Sequence, residues 1–317
     1  MENVQNAYQR YGKSLALSFN GGKESTVILD LAIKMLPKIL IYYVMDKNEF
    51  PEILEFIDEI CQNYNINLLV YYDMKEAISD LKDKGIEAIL TGVRKADDSS
   101  TQLYSKTEKG WPEIMRVNPL LDWSYSDVWN YILSNKVSYC KLYDMGYTSL
   151  GNTNNTFTNF KLFNGNGYDS AHKLQDESYE RIVRVRHILP KTITGKVIHG
   201  KGIAKKVLGI PTANLAIDKL ELDEGVYYGK LNLDSKKYIC VVSYGFNLTT
   251  NDRSFEVHIL DFNDSDIYNK IITTELIGYI RPMEKFSNLS DLKIAIQNDI
   301  NFVKFITNLT SKVIKKE

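Results

Sequence analysis

The sequence predicts two domains of different fold class, an α/β domain with a parallel sheet followed by an antiparallel barrel or sandwich. Its 317 residues exceed the usual size of a single domain. In about the first 95 residues, strand-like apolar runs alternate with helical patterns, which is typical of a parallel sheet covered by helices. After Arg184 the pattern changes to short β-rich runs separated by Gly, Asn or Asp, which indicates an antiparallel fold. We therefore place the two domains at residues 1–185 and 186–317.

The elements of the first domain follow from the spacing of apolar residues. Residues 92–122 contain scattered Gly, Asp, Ser and Pro and are expected to be irregular, whereas residues 140–170 are expected to form a long loop region. One helix has two candidate N-caps, Ser124 and Ser126. The predicted strands are Ser14–Phe19, Ile39–Met45, Leu68–Tyr72 and Ala88–Thr91, and the predicted helices are Ser25–Met35, Glu52–Cys61, Lys75–Lys82 and Ser124–Leu133.

The second domain is expected to consist of short strands and one final helix. Turn residues separate the β-rich runs, as in an antiparallel sheet. From Asp291 to Leu309 the apolar residues recur at helical spacing, which predicts a helix at the end of the chain. The clearest predicted strands are Lys196–His199, Tyr227–Leu233, Tyr238–Ser243 and Phe255–Leu260.

Composition excludes several classes of function. The net charge of −1 gives no general attraction to nucleic acid or to anionic membranes, so neither is expected as a partner. No apolar run approaches the ~18 residues of a membrane span. Cys61, Cys140 and Cys240 are far apart in the sequence, which makes a zinc site improbable and indicates reduced thiols in a cytoplasmic protein.

The segment Ser18–Ser25 reads SFNGGKES and lies between a predicted strand and a predicted helix. Its two glycines allow backbone amides to approach oxygen atoms closely, while Lys23 and the helix N-terminus add positive charge. The segment is therefore a candidate phosphate-binding loop, although it is not a Walker loop. A simple Gly-Gly turn before a helix is the alternative interpretation.

This segment resembles the pyrophosphate-binding loop of the adenylyl-sulfate-reductase-like ATP-pyrophosphatases, and most closely that of the eukaryotic-type FAD synthases. The similarity continues in order through residues 10–185. Its blocks are Phe50-Pro-Glu52, Thr91-Gly-Val-Arg94, Gly110-Trp-Pro-Glu-Ile-Met-Arg116, Asn118-Pro-Leu-Leu-Asp-Trp123, Tyr139-Cys140, Gly146-Tyr-Thr-Ser-Leu-Gly151 and Tyr179-Glu-Arg181-Ile-Val-Arg184.

The resemblance implies two sets of binding residues and an FMN adenylyltransferase activity. Glu24 departs from the family pattern, which has Asp at this position, and residues 94–109 also differ in detail from the family pattern. The implied ATP and pyrophosphate ligands are Asn20, Gly21, Gly22, Lys23, Ser25 and Arg94, and the implied FMN ligands are Asp97, Trp111, Arg116, Arg181 and Arg184.

These residue types suit adenylyl transfer to a phosphate. The FMN phosphate is already an anion, so its attack on the α-phosphorus of ATP needs no general base. Alignment of the substrates and neutralisation of their crowded negative charge must supply the catalysis. Taken singly, each arginine is better explained as a solvated surface charge, and a core position is an alternative for Trp111 and Trp123.

A second candidate site lies in residues 195–214. Gly200 and Gly202, followed by Lys205-Lys206, form a flexible basic loop, which alone is weak evidence. The next motif, Pro211-Thr-Ala-Asn214, is more informative, because Thr212 and Asn214 face the same way in an extended backbone. Both side chains offer oxygen ligands suited to Mg²⁺.

This motif resembles the G-x-P-T-A-N signature of the riboflavin kinases, and the similarity covers about residues 188–301. It implies a six-stranded Greek-key barrel with a C-terminal helix. It also implies ATP binding by Gly200, Gly202 and Lys206, Mg²⁺ binding by Thr212 and Asn214, and flavin binding by Arg281. The supporting blocks are Glu224-Gly-Val-Tyr-Tyr-Gly229, Val242-Ser-Tyr-Gly245, Phe255-Glu-Val-His258 and Gly278-Tyr-Ile-Arg-Pro282.

Glu256 is the candidate catalytic base of the second domain. Alternation along the strand places Phe255, Val257 and Ile259 on one face and Glu256 with His258 on the other. A carboxylate there can accept the proton of the ribityl hydroxyl as it attacks the γ-phosphorus of ATP. An outward-facing charge is the alternative for Glu256, and a hydrogen-bonding barrel residue is the expected role of His258.

Together the two resemblances predict a transferase whose small-molecule substrates are riboflavin, FMN and ATP, with Mg²⁺ as cofactor. A reductase or thiol-transfer enzyme built on the same loop is disfavoured, because the chain lacks a reactive cysteine pair. A flavin-binding module with one inactive half is a non-enzymatic alternative, which the replacement at Glu24 supports.

Overall fold

The chain folds into two compact units, Met1–Arg181 and Ile182–Glu317. The boundary predicted between residues 185 and 186 lies slightly beyond this division and stays a prediction of where the two activities separate. The computed structural model describes residues 2–36, 38–97, 99–199, 212–217, 220–234, 236–247, 252–262, 267–286 and 288–313.

The first unit contains a six-stranded, mostly parallel sheet with the strand order β3-β2-β1-β4-β6-β5. Every neighbouring pair is parallel except β5 and β6. The chain moves outward from β1 through β2 to β3 and then returns to place β4 on the other side of β1. The strands are β1 Leu15–Ser18, β2 Leu40–Val44, β3 Leu68–Tyr71, β4 Ala88–Leu90, β5 Tyr104–Lys106 and β6 Met115–Val117.

Helices cover both faces of this sheet. Helix α4 packs its apolar side against Ala16, Tyr42 and Ile89, which belong to three adjacent strands. Of the two predicted N-caps of α5, Ser124 is the one used, in a capping box with Asp127. The helices are α1 Glu2–Tyr11, α2 Lys23–Met35, α3 Pro51–Asn63, α4 Met74–Asp83 and α5 Tyr125–Ser134.

Two parts of the first unit differ from the sequence-based expectation. The stretch 92–122, expected to be irregular, contributes β5 and β6 to the sheet, and the loop region 140–170 contains the 3₁₀ turns Lys141–Met145 and Phe160–Leu162. Both strands have three residues and mix polar with apolar side chains, so they lack the continuous apolar run that revealed the equally short β4.

The second unit is a closed barrel of six antiparallel strands. Strands β9, β10 and β11 pair consecutively, and β12 returns to lie beside β9, which is Greek-key connectivity. The fold class predicted for each half of the chain is therefore confirmed. The elements are β7 Arg186–Ile198, β8 Ala213–Ala216, β9 Gly225–Leu233, β10 Lys236–Asn247, β11 Asp252–Ile259, β12 Ile271–Arg281 and helix α6 Leu289–Val313.

Strand β7 begins ten residues before the predicted run, which starts at Lys196. The earlier part contains Pro190, a residue that cannot donate a ladder hydrogen bond. The pairing of β7 with β12 shifts register at this point, between Leu276 and Gly278 of β12. A bulge of this kind tolerates the proline and interrupts the alternating pattern, so apolar spacing did not predict this part of the strand.

The interior of the barrel is mostly apolar and holds, among others, Tyr227, Leu231, Val242, Phe255 and Val257. Helix α6 contributes its own buried side chains, including Phe302, Val303 and Ile306. Thr274 of β12 is also fully buried and shares the inward face of its strand with Ile272 and Leu276, so the interior is mostly, but not wholly, apolar. Across the described ranges, no helix is both long and apolar enough to cross a membrane.

Candidate active sites

In the first unit the strand order changes direction between β1 and β4. Ligands of open α/β sheets bind where the loops after two such strands diverge, beyond their carboxyl ends. The loop after β1 is the Gly-Gly segment, and the loop after β4 begins at Thr91 and leads to Arg94. The fold therefore brings the predicted phosphate loop and Arg94 to the same edge of the sheet.

The Gly-Gly loop is shaped by its own polar side chains. The Ser25 hydroxyl donates to Asn20 Oδ1 at 2.8 Å, and the Gly22 amide donates to the same oxygen at 3.1 Å. Gly21 has a φ of 72°, and a Cβ there would lie 3.1 Å from Cγ2 of Ile53. Asn20 and Ser25 thus fix the loop, while the glycines permit its close turn at the start of α2.

Two buried cations and two carboxylates meet beside this loop. Lys23 Nζ lies 2.6 Å from Glu180 Oε1, and an Arg94 guanidinium nitrogen lies 2.5 Å from Glu180 Oε2. Glu24 Oε1 lies 3.1 Å from both of these cationic nitrogens. Lys23 is 2% exposed, Arg94 1% and Glu180 5%. We call these four residues the Glu180 cluster.

Charge compensation inside the cluster keeps its cations protonated. Burial by itself lowers the pKa of Lys23, but the nearby carboxylates of Glu24 and Glu180 outweigh burial and raise it above its usual value. The pKa of Arg94 is raised for the same reason. Burial raises the pKa of Tyr143, whose hydroxyl therefore stays neutral and accepts a hydrogen bond from the Lys23 amide at 2.8 Å.

A close approach at Gly92 makes the cluster possible. A Cβ at Gly92 would lie 2.8 Å from Cβ of Glu24 and 3.2 Å from the amide nitrogen of Ser25. No side chain larger than hydrogen fits between the loop after β4 and the first turn of α2. Gly92 therefore lets Arg94 reach the carboxylates that also contact Lys23.

The predicted FMN residue Asp97 connects to the same cluster. It accepts a hydrogen bond from the Arg94 amide at 3.0 Å and forms an ion pair with Arg181. Arg181 directly follows Glu180 in the chain. The contacts therefore form a closed circuit that runs through Arg94, Asp97, Arg181 and Glu180. Arg184 lies beyond the division between the units, in the second one.

Trp111 and Arg116, also predicted to bind FMN, lie on the side of the sheet that α4 covers. The Trp111 ring is 39% exposed, and Lys75 Nζ of α4 lies 5.0 Å from its centroid. Arg116 pairs in register with Ile89, whose side chain packs against α4. Within the described ranges, no hydrogen bond or ion pair joins Trp111 or Arg116 to the Glu180 cluster.

Sequence reasoning missed Glu180 and its supports. Glu180 lies inside the block Tyr179–Arg184, in which the resemblance implies roles only for the two arginines. Its backbone carbonyl accepts from the Thr148 hydroxyl at 2.7 Å, and the Thr148 carbonyl accepts from Lys23 Nζ at 3.0 Å. A fully buried asparagine, Asn159, in turn donates to the Thr148 hydroxyl at 3.0 Å.

In the second unit, strand register brings the predicted residues together. Phe255, Val257 and Ile259 are buried in the barrel, so Glu256 points to the outer side, where it is half-buried. Glu256 pairs directly with Asn214 of β8. Side chains opposite each other in an antiparallel pair have Cβ atoms about 4.5–5.5 Å apart.

The same register adds a residue with no predicted role. Glu256 pairs on its other side with Ser243 of β10, which is also half-buried. Thr212 is half-buried as well and precedes the buried Ala213, so alternation directs it to the side of Asn214. The predicted ATP residues Gly200, Gly202 and Lys206 lie outside the described residues.

Arg281, predicted to contact the flavin, is held by helix α6. Its Nε lies 3.0 Å from one oxygen of Asp299, and a terminal nitrogen lies 2.8 Å from the other. Asp299 is 2% exposed. Burial lowers the pKa of Arg281, and the Asp299 carboxylate more than compensates and raises it. This two-point ion pair fixes the end of β12 against α6, and no sequence motif indicated a role for Asp299.

These folds and sites define a class of protein that joins a pyrophosphatase-type α/β unit to a riboflavin-kinase-type barrel. The riboflavin kinase family (flavokinase) matches residues 188–307. The phosphoadenosine phosphosulfate reductase domain matches residues 14–80 and 72–158. The solved structure of Candida glabrata FMN adenylyltransferase in complex with ATP is 22% identical, with a TM-score of 0.53, and covers 58% of this chain and 83% of that one. At that identity the likeness shows a shared fold.

Two relatives are closer in sequence. A probable FAD synthase of Schizosaccharomyces pombe is 38% identical over 200 residues, which is 57% of this chain and 76% of that protein. The riboflavin kinase of Homo sapiens is 38% identical over 128 residues, which is 38% of this chain and 82% of that protein. The chain therefore belongs to the FAD synthase family and, through its barrel, to the riboflavin kinase family. It covers 38% of the length of a Caenorhabditis elegans probable FAD synthase.

Proposed function

We propose that the chain makes FAD from riboflavin in two steps. The barrel, assigned to residues 186–317, phosphorylates riboflavin with ATP to give FMN. The α/β unit, assigned to residues 1–185, transfers the adenylyl group of a second ATP to FMN and releases pyrophosphate. The observation that carries this proposal is the presence of both families in one chain, because the product of one reaction is the substrate of the other.

In the kinase reaction we assign the base to Glu256. Its carboxylate accepts the proton of the terminal ribityl hydroxyl, which makes that oxygen a better nucleophile toward the γ-phosphorus. Thr212 and Asn214 are the proposed Mg²⁺ ligands, since both offer neutral oxygens on the outer side of the barrel, where Glu256 of the neighbouring strand also lies. Mg²⁺ usually takes one or two protein ligands and completes its shell with phosphate and water. When bound, it neutralises charge on the transferred phosphoryl group.

In the adenylyl reaction no base is assigned. The FMN phosphate is the nucleophile and already carries negative charge, so the protein has to hold two anions together. The amides of the Gly-Gly loop and the N-terminus of α2 offer donors for the ATP phosphates. Lys23 and Arg94 are the proposed cations on the ATP side, and Asp97, Trp111, Arg116, Arg181 and Arg184 remain the proposed FMN residues.

The reductase alternative has little chemical support in this chain. Thiol chemistry requires a thiolate, which forms readily in polar, electropositive surroundings. Burial instead raises the pKa of Cys140 to about 11 and that of Cys240 to about 12, and burial also raises the pKa of Cys61. These free thiols fit the reducing cytoplasm, which we propose as the location of the protein.

Incubation with riboflavin, ATP and Mg²⁺, followed by chromatography, tests the proposal. We expect FMN to appear first and FAD to follow. When the halves are expressed separately, residues 1–185 should convert FMN to FAD but leave riboflavin unchanged, and residues 186–317 should stop at FMN. Absence of FAD when FMN and ATP are supplied to the full chain would contradict the adenylyl assignment. FAD formation from riboflavin by the first fragment would contradict the division of activities.

A further inference from the structure

The proposed ATP cations are not available to a phosphate in the arrangement described above. Lys23 and Arg94 are almost fully buried, and both already contact the carboxylates of Glu180 and Glu24. Two cations and two carboxylates give the cluster no net charge. A phosphate that binds these cations must therefore replace one of the carboxylates.

Glu180 is the carboxylate whose position resembles that of a bound phosphate. Its Oε1 contacts both cations at 2.6 Å, and its Oε2 also contacts Arg94 at 2.5 Å, so this carboxylate bridges the two cations as an anionic group of a ligand would. Glu24 instead presents a single oxygen to both, at the longer distance of 3.1 Å. Charge-assisted contacts of this kind are short and strong, so Glu180 is the main competitor for the two cations.

We propose that Glu180 is a positioning residue that holds Lys23 and Arg94 when no nucleotide is bound and is exchanged for the phosphates of ATP. This inference rests on the proposed adenylyl function and adds the way in which nucleotide enters and pyrophosphate leaves. When ATP binds, its phosphate replaces the Glu180 carboxylate beside Lys23 and Arg94, and the two cations stay in place. Return of the Glu180 carboxylate then helps to expel pyrophosphate.

The exchange also reaches the flavin side of the site. Glu180 is bonded through the chain to Arg181, and Arg181 pairs with Asp97, which accepts from the Arg94 amide. Movement of Glu180 away from the cations therefore shifts Arg181, which is one of the residues proposed to hold FMN. Nucleotide binding and FMN binding are coupled through this circuit.

The test is Glu180→Gln in the full chain. Glutamine keeps the size of the side chain but removes the competing charge, so the site gains a net positive charge. We expect inorganic pyrophosphate to inhibit FAD formation from FMN about tenfold more strongly than in the wild type, which corresponds to about 1.4 kcal/mol. The KM for ATP should fall, and kcat should fall as well, because pyrophosphate leaves more slowly.

Glu177→Gln is the matched control. Glu177 lies three residues earlier and accepts hydrogen bonds from the backbone of Tyr125 and Ser126 at the start of α5. It is not part of the Glu180 cluster, so its loss should lower thermal stability without strengthening inhibition by pyrophosphate.

If the role of Glu180 is purely structural, its substitution changes the affinity for ATP and pyrophosphate in the opposite direction. In that case Glu180→Gln weakens binding of ATP and pyrophosphate along with stability, and this result would overturn the proposal. If the glutamine variant melts too early to assay, pyrophosphate should raise its melting temperature more than that of the wild type. Glu180→Asp, which keeps the charge but cannot reach both cations, should show the same change to a smaller degree.

Failure of the inference is separable from failure of the proposed function. A wild-type chain that forms no FAD from FMN contradicts the function. A wild-type chain that forms FAD, with pyrophosphate inhibition unchanged or weaker in both Glu180 variants, contradicts the exchange alone. Calorimetric titration of wild type and Glu180→Gln with pyrophosphate checks the binding step without turnover.

Discussion

The two candidate sites of this chain handle charge in opposite ways. In the first unit, Lys23, Arg94, Glu24 and Glu180 form a buried network of full charges. In the barrel, Glu256 has neutral neighbours in register, Asn214 and Ser243. The difference matches the nucleophiles that we propose: a phosphate needs cations and alignment, whereas a hydroxyl needs a base.

The sites also differ in how their residues are brought together. The barrel residues are neighbours because three adjacent strands are in register, so the backbone sets their spacing. The charged residues of the first unit come from separate loops and meet through side-chain contacts. Such contacts reach across 157 positions of the sequence in the case of Lys23 and Glu180. Substitutions should therefore act locally in the barrel and more broadly in the first unit.

Glu256→Gln should have the largest effect on either reaction. The change keeps the shape of the side chain but removes its basicity, and general-base catalysis is typically worth about 10²–10⁴-fold. With a loose transition state, proton removal comes late, so we expect the lower part of that range. The measurement is the initial rate of FMN formation from riboflavin, while conversion of supplied FMN to FAD serves as the internal control. A wild-type rate would eliminate Glu256 as the base.

Lys23→Ala should reduce FAD formation from FMN at least tenfold. Loss of a charge-assisted contact costs about 1.5–3 kcal/mol, and more if the contact strengthens in the transition state. Lys34→Ala is the control on the same helix, because the Lys34 side chain is exposed and contacts Asp30, outside the Glu180 cluster. Equal FAD rates in the two variants would remove Lys23 from the site.

Arg116→Ala asks whether FMN reaches the α4 face of the sheet. If Arg116 holds the FMN phosphate, we expect the KM for FMN to rise about tenfold, since a contact to a charged group is lost, while the KM for ATP changes little. A rise in the KM for ATP alone would instead assign Arg116 to the nucleotide.

Thr212→Val should slow FMN formation in a way that added Mg²⁺ relieves. Valine nearly preserves volume but deletes the proposed oxygen ligand, so the defect is one of metal affinity. Rates measured across a Mg²⁺ series should converge on the wild-type value. The Glu256→Gln defect should persist at every Mg²⁺ concentration, and equal rescue of both variants would make Glu256 a metal ligand.

Gly92→Ala should give the smallest of these effects, and one of a different kind. The new methyl group would press on Glu24 and the first turn of α2, and overpacking of this sort costs about 1–3 kcal/mol. We expect a lower melting temperature and slower FAD formation, with FMN formation unchanged. Gly167→Ala, where a Cβ meets no atom within 4 Å, is the control and should behave like the wild type.

The sequence predicted the fold class of both halves and most long elements, because apolar spacing records which faces are buried. It missed α1, whose ten residues bury only Val4 and Ala7, and the three-residue strands β5 and β6. The candidate site residues were predicted from motifs. A motif identifies a residue in the sequence but does not show which side chains that residue contacts in the fold. Glu180 and Asp299 were not predicted, because each forms an ion pair with a cation that lies elsewhere in the sequence.

The position of β12 in the barrel has a consequence for synthesis of the chain. This strand pairs with both β7 and β9, so the barrel has no closed form until its last strand is available. Chains are made from the N-terminus, and domains generally fold as units in that order. On the ribosome, the half assigned to consuming FMN is therefore complete while the half assigned to making it is still an open sheet.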